Sequence, residues 1–275
     1  MTYRVPDEDI AGFYRDGYII FRGILPDTLV RDLRRECDKA VKVARRVSGA
    51  QAQRLQPLQK YEGEIDLQPF RAYAELPDLV DAIQAVLTAE HKYGQLGIMG
   101  VLFEPEERAW CTNWHRDMTL ASSRLPLEEF HDLMLDWNHV NQVNCALYDD
   151  DCTWFVPGSH LRMRDLPGEV EAARLPNGIG WGKQAGEAAA KMDPVALERA
   201  CLKYTQGMPG AVQFKLHAGD FALYRPIGWH IGNYVPYKKR ATLHDGVVTP
   251  HYEAWWHQWI KGGSPRWEKQ VSVAV

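Results

Sequence analysis

The chain has 275 residues, of which 45% are apolar and 25% charged, with a formal net charge of −4. That balance is ordinary for a globular protein and excludes a disordered or low-complexity chain, and basic residues scattered through an acidic chain offer no footprint for a nucleic acid. The five cysteines, Cys37, Cys111, Cys145, Cys152 and Cys201, include no Cys-x-x-Cys pair, which argues against a disulfide framework or a cysteine zinc site; with no apolar run of signal-peptide or membrane-spanning length, the expectation is a soluble, cytoplasmic protein.

Asp7 to Arg15 carries Ile10, Phe13 and Tyr14 at helical spacing. Gly17 should stop that helix, and Tyr18 to Phe21 reads as a short buried strand before Gly23. After Pro26, Asp27 or Thr28 is expected to cap a long helix with the apolar stripe Leu29, Leu33, Cys37, Ala40, Val41 and Ala44. A further helix is expected from Pro77 or Asp78 to Leu87. From Gly97 the pattern changes to short β runs: Gly97 to Glu104, Cys111 to Met118, Val140 to Tyr148, Trp154 to Pro157, Ala211 to Leu216, Phe221 to Arg225 and Ala241 to Thr249. Two inserts interrupt them, about 120–140, where 125–138 reads as helical, and 161–210, with a helix from Pro194 to Tyr204. No repeat or linker divides the chain. The organisation expected is mainly β with packed helices: one domain over 1–275, helices of 1–95 flanking a β core, and the two inserts as a lid.

The chemistry concentrates in Trp114-His115-Arg116-Asp117-Met118. On a β-strand, successive side chains point to opposite faces, so one intervening residue aims a histidine and an aspartate to the same side. A third ligand from a distant strand, His230, would complete a 2-His-1-carboxylate triad, which holds Fe(II) and leaves coordination positions open. His131, His139, His217, His244, His251 and His257 are read as core or surface residues.

The segment from Phe13 to Leu25 (Phe-Tyr-Arg-Asp-Gly-Tyr-Ile-Ile-Phe-Arg-Gly-Ile-Leu) resembles the opening of the phytanoyl-CoA dioxygenase family, and Trp114-His115-Arg116-Asp117 resembles its metal motif. Val156-Pro157-Gly158-Ser159-His160 resembles the family's V-P-G-S-H turn, and Gly219-Asp220-Phe221 leading to His230 and Arg240 resembles its closing strands. The four motifs occur in one order over nearly the whole chain. The resemblance implies a double-stranded β-helix, a cupin-like jelly roll, and an oxygenase that uses Fe(II), 2-oxoglutarate and dioxygen. His115, Asp117 and His230 would then bind iron, and Arg240 would grip the far carboxylate of 2-oxoglutarate with its planar fork. Thr242 could add a hydroxyl contact. Leu102 and Ile98 stand where relatives often carry polar side chains, so Thr112, Gln142 or Asn144 would serve the iron-proximal end.

The implied outcome is hydroxylation of an unactivated C–H in a small molecule, with release of succinate and carbon dioxide. Asp117 argues against halogenation, because halogenating relatives lack that carboxylate. Met118, Asn144, Trp154 and Tyr224 are expected to line the substrate cavity, and Asp149 to Cys152 to form a hairpin without function. Arg162, Arg164, Arg174 and Lys183, with Trp181 and Met163, hint at an anionic or amphipathic ligand under the lid. Two other readings stay open: a cupin-like metalloenzyme that does not use 2-oxoglutarate, and a silent metal-binding module. The sequence sets no oligomeric state.

Overall fold

A computed structural model describes residues 3–250 and 252, apart from residues 92, 124, 175, 177, 178, 181 and 182. Trp181, His251 and His257 therefore lie outside the described residues. Helix α1 (Asp7–Asp16) ends where expected, at Gly17, whose φ is 89° and whose N–H donates to the Phe13 carbonyl. A side chain could not replace that hydrogen, since an added Cβ would lie 2.4 Å from the ring Nδ1 of His160 as well as in a left-handed conformation. Strand β1 (Tyr18–Phe21) follows, then helix α2 (Asp27–Ser48). Its cap position is Pro26 and no side chain caps it. Asp27 sits instead inside the first turn, where its charge complements the helix dipole. The buried stripe is Val30, Leu33, Cys37, Ala40, Val41 and Ala44, with Leu29 only half-buried.

The remaining elements are β2 (Arg54–Leu55), α3 (Gln68–Ala74), α4 (Pro77–Val86), β3 (Gly100–Phe103), β4 (Trp110–Cys111), α5 (Leu120–Ser123), α6 (Leu127–Leu135), β5 (Val140–Ala146), β6 (Thr153–Phe155), α7 (Glu169–Ala173), α8 (Lys183–Ala189), α9 (Pro194–Gln206), β7 (Val212–Gln213), β8 (Phe221–Tyr224), β9 (His230–Tyr234) and β10 (Ala241–Val248). They build two antiparallel sheets: a larger one in the order β1-β8-β5-β10-β3-β2 and a smaller one in the order β4-β9-β6-β7.

Period-two alternation gives each strand of the larger sheet two jobs. Val101, Phe103, Val143, Cys145, Phe221, Leu223, Leu243 and Val247 point outward and pack with Phe13, Leu33, Phe70 and Leu79 of the N-terminal helices in one core. Leu102, Gln142, Asn144, Ala146, Ala222, Tyr224, Thr242 and His244 alternate with them and point inward, towards the smaller sheet. Ala146, Phe155, Phe214, Leu216, Ala222 and Tyr224 close one end of the space between the sheets as an apolar cluster.

The smaller sheet is backed from outside. Cys111, Trp114, Val156 and Ile231 pack with Leu197, Cys201 and Tyr204 of α9. The Tyr204 hydroxyl accepts from the Trp114 N–H at 3.0 Å and donates to the Ala173 carbonyl at 3.0 Å. This half of the second insert thus braces the sheet that carries His230, where a lid was expected. Helix α6 of the first insert packs Phe130, Leu133 and Met134 on Met118 and Ile227, next to the metal motif. All five cysteines are free and buried, and no helix among the described residues is long and apolar enough to cross a membrane.

Candidate metal centre

The motif residues do not lie on one continuous strand. Regular β4 ends at Cys111, and His115 then makes an isolated antiparallel bridge to His230. The two histidines exchange both backbone hydrogen bonds, at 3.1 and 3.0 Å, and Asp117 donates its N–H to the Pro226 carbonyl at 2.9 Å. Pairing to the chain around β9, more than strand alternation within 111–118, is what turns the three side chains to one point. The His115 and His230 rings lie with centroids 4.2 Å apart, and their Nε2 atoms are 3.5 and 3.7 Å from Asp117 Oδ1. One ligand atom from each residue falls within 4.8 Å of the others, a set able to hold a metal ion.

The surrounding groups prepare these atoms for a cation. His115 Nδ1 lies 2.6 Å from the Asn113 carbonyl and His230 Nδ1 lies 3.0 Å from the Gly228 carbonyl. A carbonyl only accepts, so each Nδ1 carries the proton and each Nε2 presents its lone pair to the shared point. Burial and the neighbouring His115 push His230 down to about 4, against the pull of Asp117, so it is neutral at pH 7 as a ligand must be. The second oxygen of Asp117 accepts from Gln142 Nε2, and Gln142 Oε1 in turn accepts from the Tyr224 hydroxyl at 2.8 Å. Gln142 and Tyr224, expected as contacts of cosubstrate and substrate, are linked in a chain that fixes the carboxylate.

Arg240 and Thr242 come together around Asp150. The Arg240 Nε donates to Asp150 Oδ2 at 3.1 Å, the Thr242 hydroxyl donates to the same oxygen at 2.9 Å, and Asp150 Oδ1 accepts from the Cys152 N–H at 2.9 Å. Asp149 to Cys152, expected to be a hairpin without function, therefore holds the counter-ion of Arg240. Burial alone would raise the Asp150 pKa, but Arg240 and these hydrogen bonds outweigh it and hold the carboxyl below its usual range. The guanidinium carbon lies 4.8 Å from the centre of the Tyr234 ring, and Nη1 is buried without a hydrogen-bond partner. An orphaned donor on a buried guanidinium calls for an anionic acceptor. Tyr234 folds back along β9, such that a Cβ on Gly232 would meet its ring at 2.7 Å.

Thr112 is buried with its hydroxyl oxygen accepting from the Gly232 N–H at 2.9 Å, between the histidine pair and the Arg240 end. Asn144 donates to Thr153 Oγ1 at 3.0 Å and accepts from His244 Nδ1 at 3.1 Å, so His244, read as a core or surface residue, belongs to the inner wall. Met118 packs under α6. Trp154 is in register with Ile231 and joins the outer cluster beneath α9; alternation from Phe155, which is paired with His230, turns it away from the cavity. Asp150, Tyr234 and His244 were missed: only pairing across strands brings Asp150 to the site, whereas His244 stands two residues after Thr242 on the same face. For Tyr234 the signal was present, since it stands four residues after His230 and so on the same face.

Arg116, between the two motif ligands, donates to the carbonyls of Ser159 at 2.7 Å and Ile227 at 2.8 Å and stacks on Trp229. It ties the metal loop to the Val156–His160 turn. Arg162, one of the basic residues expected to face a ligand, is instead engaged by the buried Glu169 at 2.6 and 3.0 Å.

A sequence model of the family described as "Phytanoyl-CoA dioxygenase (PhyH)" matches residues 13–233. A sequence search finds no match among curated proteins. Among solved structures, the chain is similar to AviO1 from Streptomyces viridochromogenes Tue57, with 17% identity, 88% of this chain and 94% of that chain covered, and a TM-score of 0.54. It is similar to SnoN, a non-heme alpha-ketoglutarate-dependent epimerase from nogalamycin biosynthesis, at 17% identity with 88% and 82% covered and a TM-score of 0.54. HygX from Streptomyces hygroscopicus, solved with nickel and 2-oxoglutarate bound, is 13% identical with 90% and 88% covered and a TM-score of 0.55. At these identities the likeness establishes a shared jelly-roll fold.

Proposed function

The chain belongs to the phytanoyl-CoA dioxygenase family, and we propose that it hydroxylates an unactivated C–H bond of a small molecule, coupled to conversion of 2-oxoglutarate into succinate and carbon dioxide. Membership brings Fe(II) as cofactor and 2-oxoglutarate and dioxygen as cosubstrates, and with them an oxygenase-type activity. The observation that carries the proposal is the pairing of a His115–Asp117–His230 cluster with a buried arginine that has an unpartnered donor.

In this reading His115, Asp117 and His230 hold the iron through Nε2, a carboxylate oxygen and Nε2. When bound there, the ion would supply the redox chemistry for which the family uses 2-oxoglutarate and dioxygen. The protein's own work is positioning. Carbonyls of Asn113 and Gly228 fix the imidazole tautomers, and the Gln142–Tyr224 pair stops Asp117 from rotating. Arg240 Nη1 receives the far carboxylate of 2-oxoglutarate, with Asp150 locking the rest of the guanidinium. The Thr112 hydroxyl oxygen is satisfied by Gly232, so its proton is free to be donated to the cosubstrate. Phe155, Phe214 and Leu216 exclude water from one end of the cavity. Asp117 would supply to the ion the carboxylate that halogenating relatives lack.

Titrating 2-oxoglutarate into the anaerobic Fe(II) protein tests this first. A weak visible charge-transfer band is expected, lost in His115→Ala, as is Fe(II)-dependent succinate formation in air. Absence of the band in the intact protein refutes the 2-oxoglutarate reading and favours a metalloenzyme that does not use it. Hydroxylation itself is tested by product mass: the product should gain one oxygen atom. A product of unchanged oxygen content would place the reaction with outcomes such as the epimerisation named for SnoN.

A further inference from the structure

Register extends the inner wall beyond the residues already assigned. On the larger sheet, Thr242 lies opposite Leu102, and Leu102 lies opposite Arg54 of the edge strand β2. Residues directly opposite across neighbouring strands share a face. Thr242 faces the cavity through Asp150, and Leu102 is buried yet absent from the outer core that takes its neighbours Val101 and Phe103. Leu55, next to Arg54, is in that outer core. Arg54 therefore points to the metal side of the sheet, at its open edge, and is itself exposed.

Its electrostatic reach agrees with this placement. The Arg54 charge acts on His244, Tyr224 and Tyr234, inner-face groups on three other strands. The other cations around the site are matched: Arg240 by Asp150, Arg116 by Asp165 and Arg162 by Glu169. Among the described residues, no carboxylate is within ion-pair distance of Arg54. Iron and Arg240 would together answer the two carboxylates of 2-oxoglutarate, which leaves Arg54 as a positive charge at the cavity edge with no assigned task.

We propose that Arg54 anchors the primary substrate, taking an anionic group, a carboxylate or a phosphate, that holds the rest of the molecule over the metal centre. A guanidinium fork at the rim of an apolar and hydrogen-bonding cavity suits a planar or tetrahedral oxyanion. His244 adds a neighbouring contact. Its Nδ1 proton is spent on the Val143 carbonyl and Asn144, so its Nε2 is an acceptor for a hydroxyl or N–H near the anionic group. The inference rests on the Fe(II) and 2-oxoglutarate reading above.

The test uses the anaerobic Fe(II) protein saturated with 2-oxoglutarate and a panel of aliphatic and aromatic carboxylic acids and phosphate monoesters, each beside its neutral amide or methyl ester. Binding is read from perturbation of the charge-transfer band. Anions are expected to bind more tightly than their neutral counterparts, and Arg54→Gln should weaken the anions roughly tenfold or more while leaving neutral compounds and 2-oxoglutarate unchanged. Arg54→Glu should reverse the preference. Whether the acids or the phosphate esters lose more identifies which oxyanion is recognised. A panel in which no anion binds better than its neutral partner overturns the inference, as does an Arg54→Gln effect equal for both or confined to 2-oxoglutarate. If 2-oxoglutarate itself gives no band in the intact protein, it is the oxygenase reading that fails.

Discussion

Replacing Asp150 with asparagine probes the least expected part of the site. The Asp150–Arg240 ion pair has an N···O distance of 3.1 Å, and each side chain is 3% exposed. At an effective dielectric of about 20, that separation corresponds to about 5 kcal/mol of attraction. Part of it offsets the desolvation of two buried charges, so the net worth of the pair is smaller than the cost of breaking it. Asp150→Asn leaves a cation in the interior with a neutral amide and the Tyr234 ring beside it, no counter-charge, and should cost about 3–5 kcal/mol of stability. Arg240→Met strands the carboxylate and should cost a similar amount, softened by the donors from Thr242 and Cys152. The double variant removes both charges, so its cost should fall short of the sum by about 2 kcal/mol or more. Urea unfolding of the metal-free protein, followed by tryptophan fluorescence, measures all three. The Asp150 carboxyl is held below its usual range, so the coupling is present at neutral pH and lost as acid protonates it in the folded state. Costs that add to within about 0.5 kcal/mol at neutral pH would refute the account of a mutually dependent pair.

Gln142→Leu removes the donor that holds the outer oxygen of Asp117 and should weaken Fe(II) binding by about tenfold to a hundredfold in metal titrations. Tyr224→Phe acts one step further away and should cost only about fivefold; a larger effect than that of Gln142→Leu would contradict the order of the chain. The fully buried Arg225 donates to the carbonyls of Met134, Trp137 and Val140, closing the C-terminal end of α6. Arg225→Met should lower stability by about 2–4 kcal/mol and expose residues 120–140 to protease before the rest of the chain. Burial pushes His160 down to about 4 and His244 to about 3. The unfolded chain thus takes up these protons first, near pH ~6.5, and stability is lost as pH falls from there towards 4. For His160 the loss is about 3 kcal/mol. A His160→Gln variant whose stability falls just as steeply between pH 7 and 4 would show that acid lability arises elsewhere.

Local signals in the sequence located the five longest helices and most strands, but not the short α3, α5, α7 and α8, because apolar periodicity and turn residues are written within a few positions of one another only where an element is long enough to show them. Helix α1 stops at Gly17, and α4 and α9 begin at Pro77 and Pro194, as their sequences indicate. Strand β9 was less visible. His230-Ile231-Gly232-Asn233-Tyr234 contains one β-branched residue, and its conformation is imposed by pairing with β4 and β6. The same distinction runs through the site. Two candidate ligands one residue apart stand out by spacing, and the third was drawn from the likeness of Gly219-Asp220-Phe221 and His230 to the family's closing strands; it is pairing with the chain at His230 rather than strand alternation that aims all three.

What spacing cannot express is which polar groups meet across strands. Asp150 lies 90 positions from Arg240 and Gln142 lies 25 positions from Asp117, and nothing local to either residue announces its partner. Trp154 and Phe155 make the same point in reverse, since a single step along β6 separates a residue beside His230 from one half-buried in the outer cluster that includes α9. Arg54 is the extreme case: on a strand of two residues it has no local pattern at all. Only its registry through Leu102 to Thr242 puts its charge on the wall that faces the metal. The motif therefore gathers the candidate metal ligands, whereas the wall around them is assembled by sheet register.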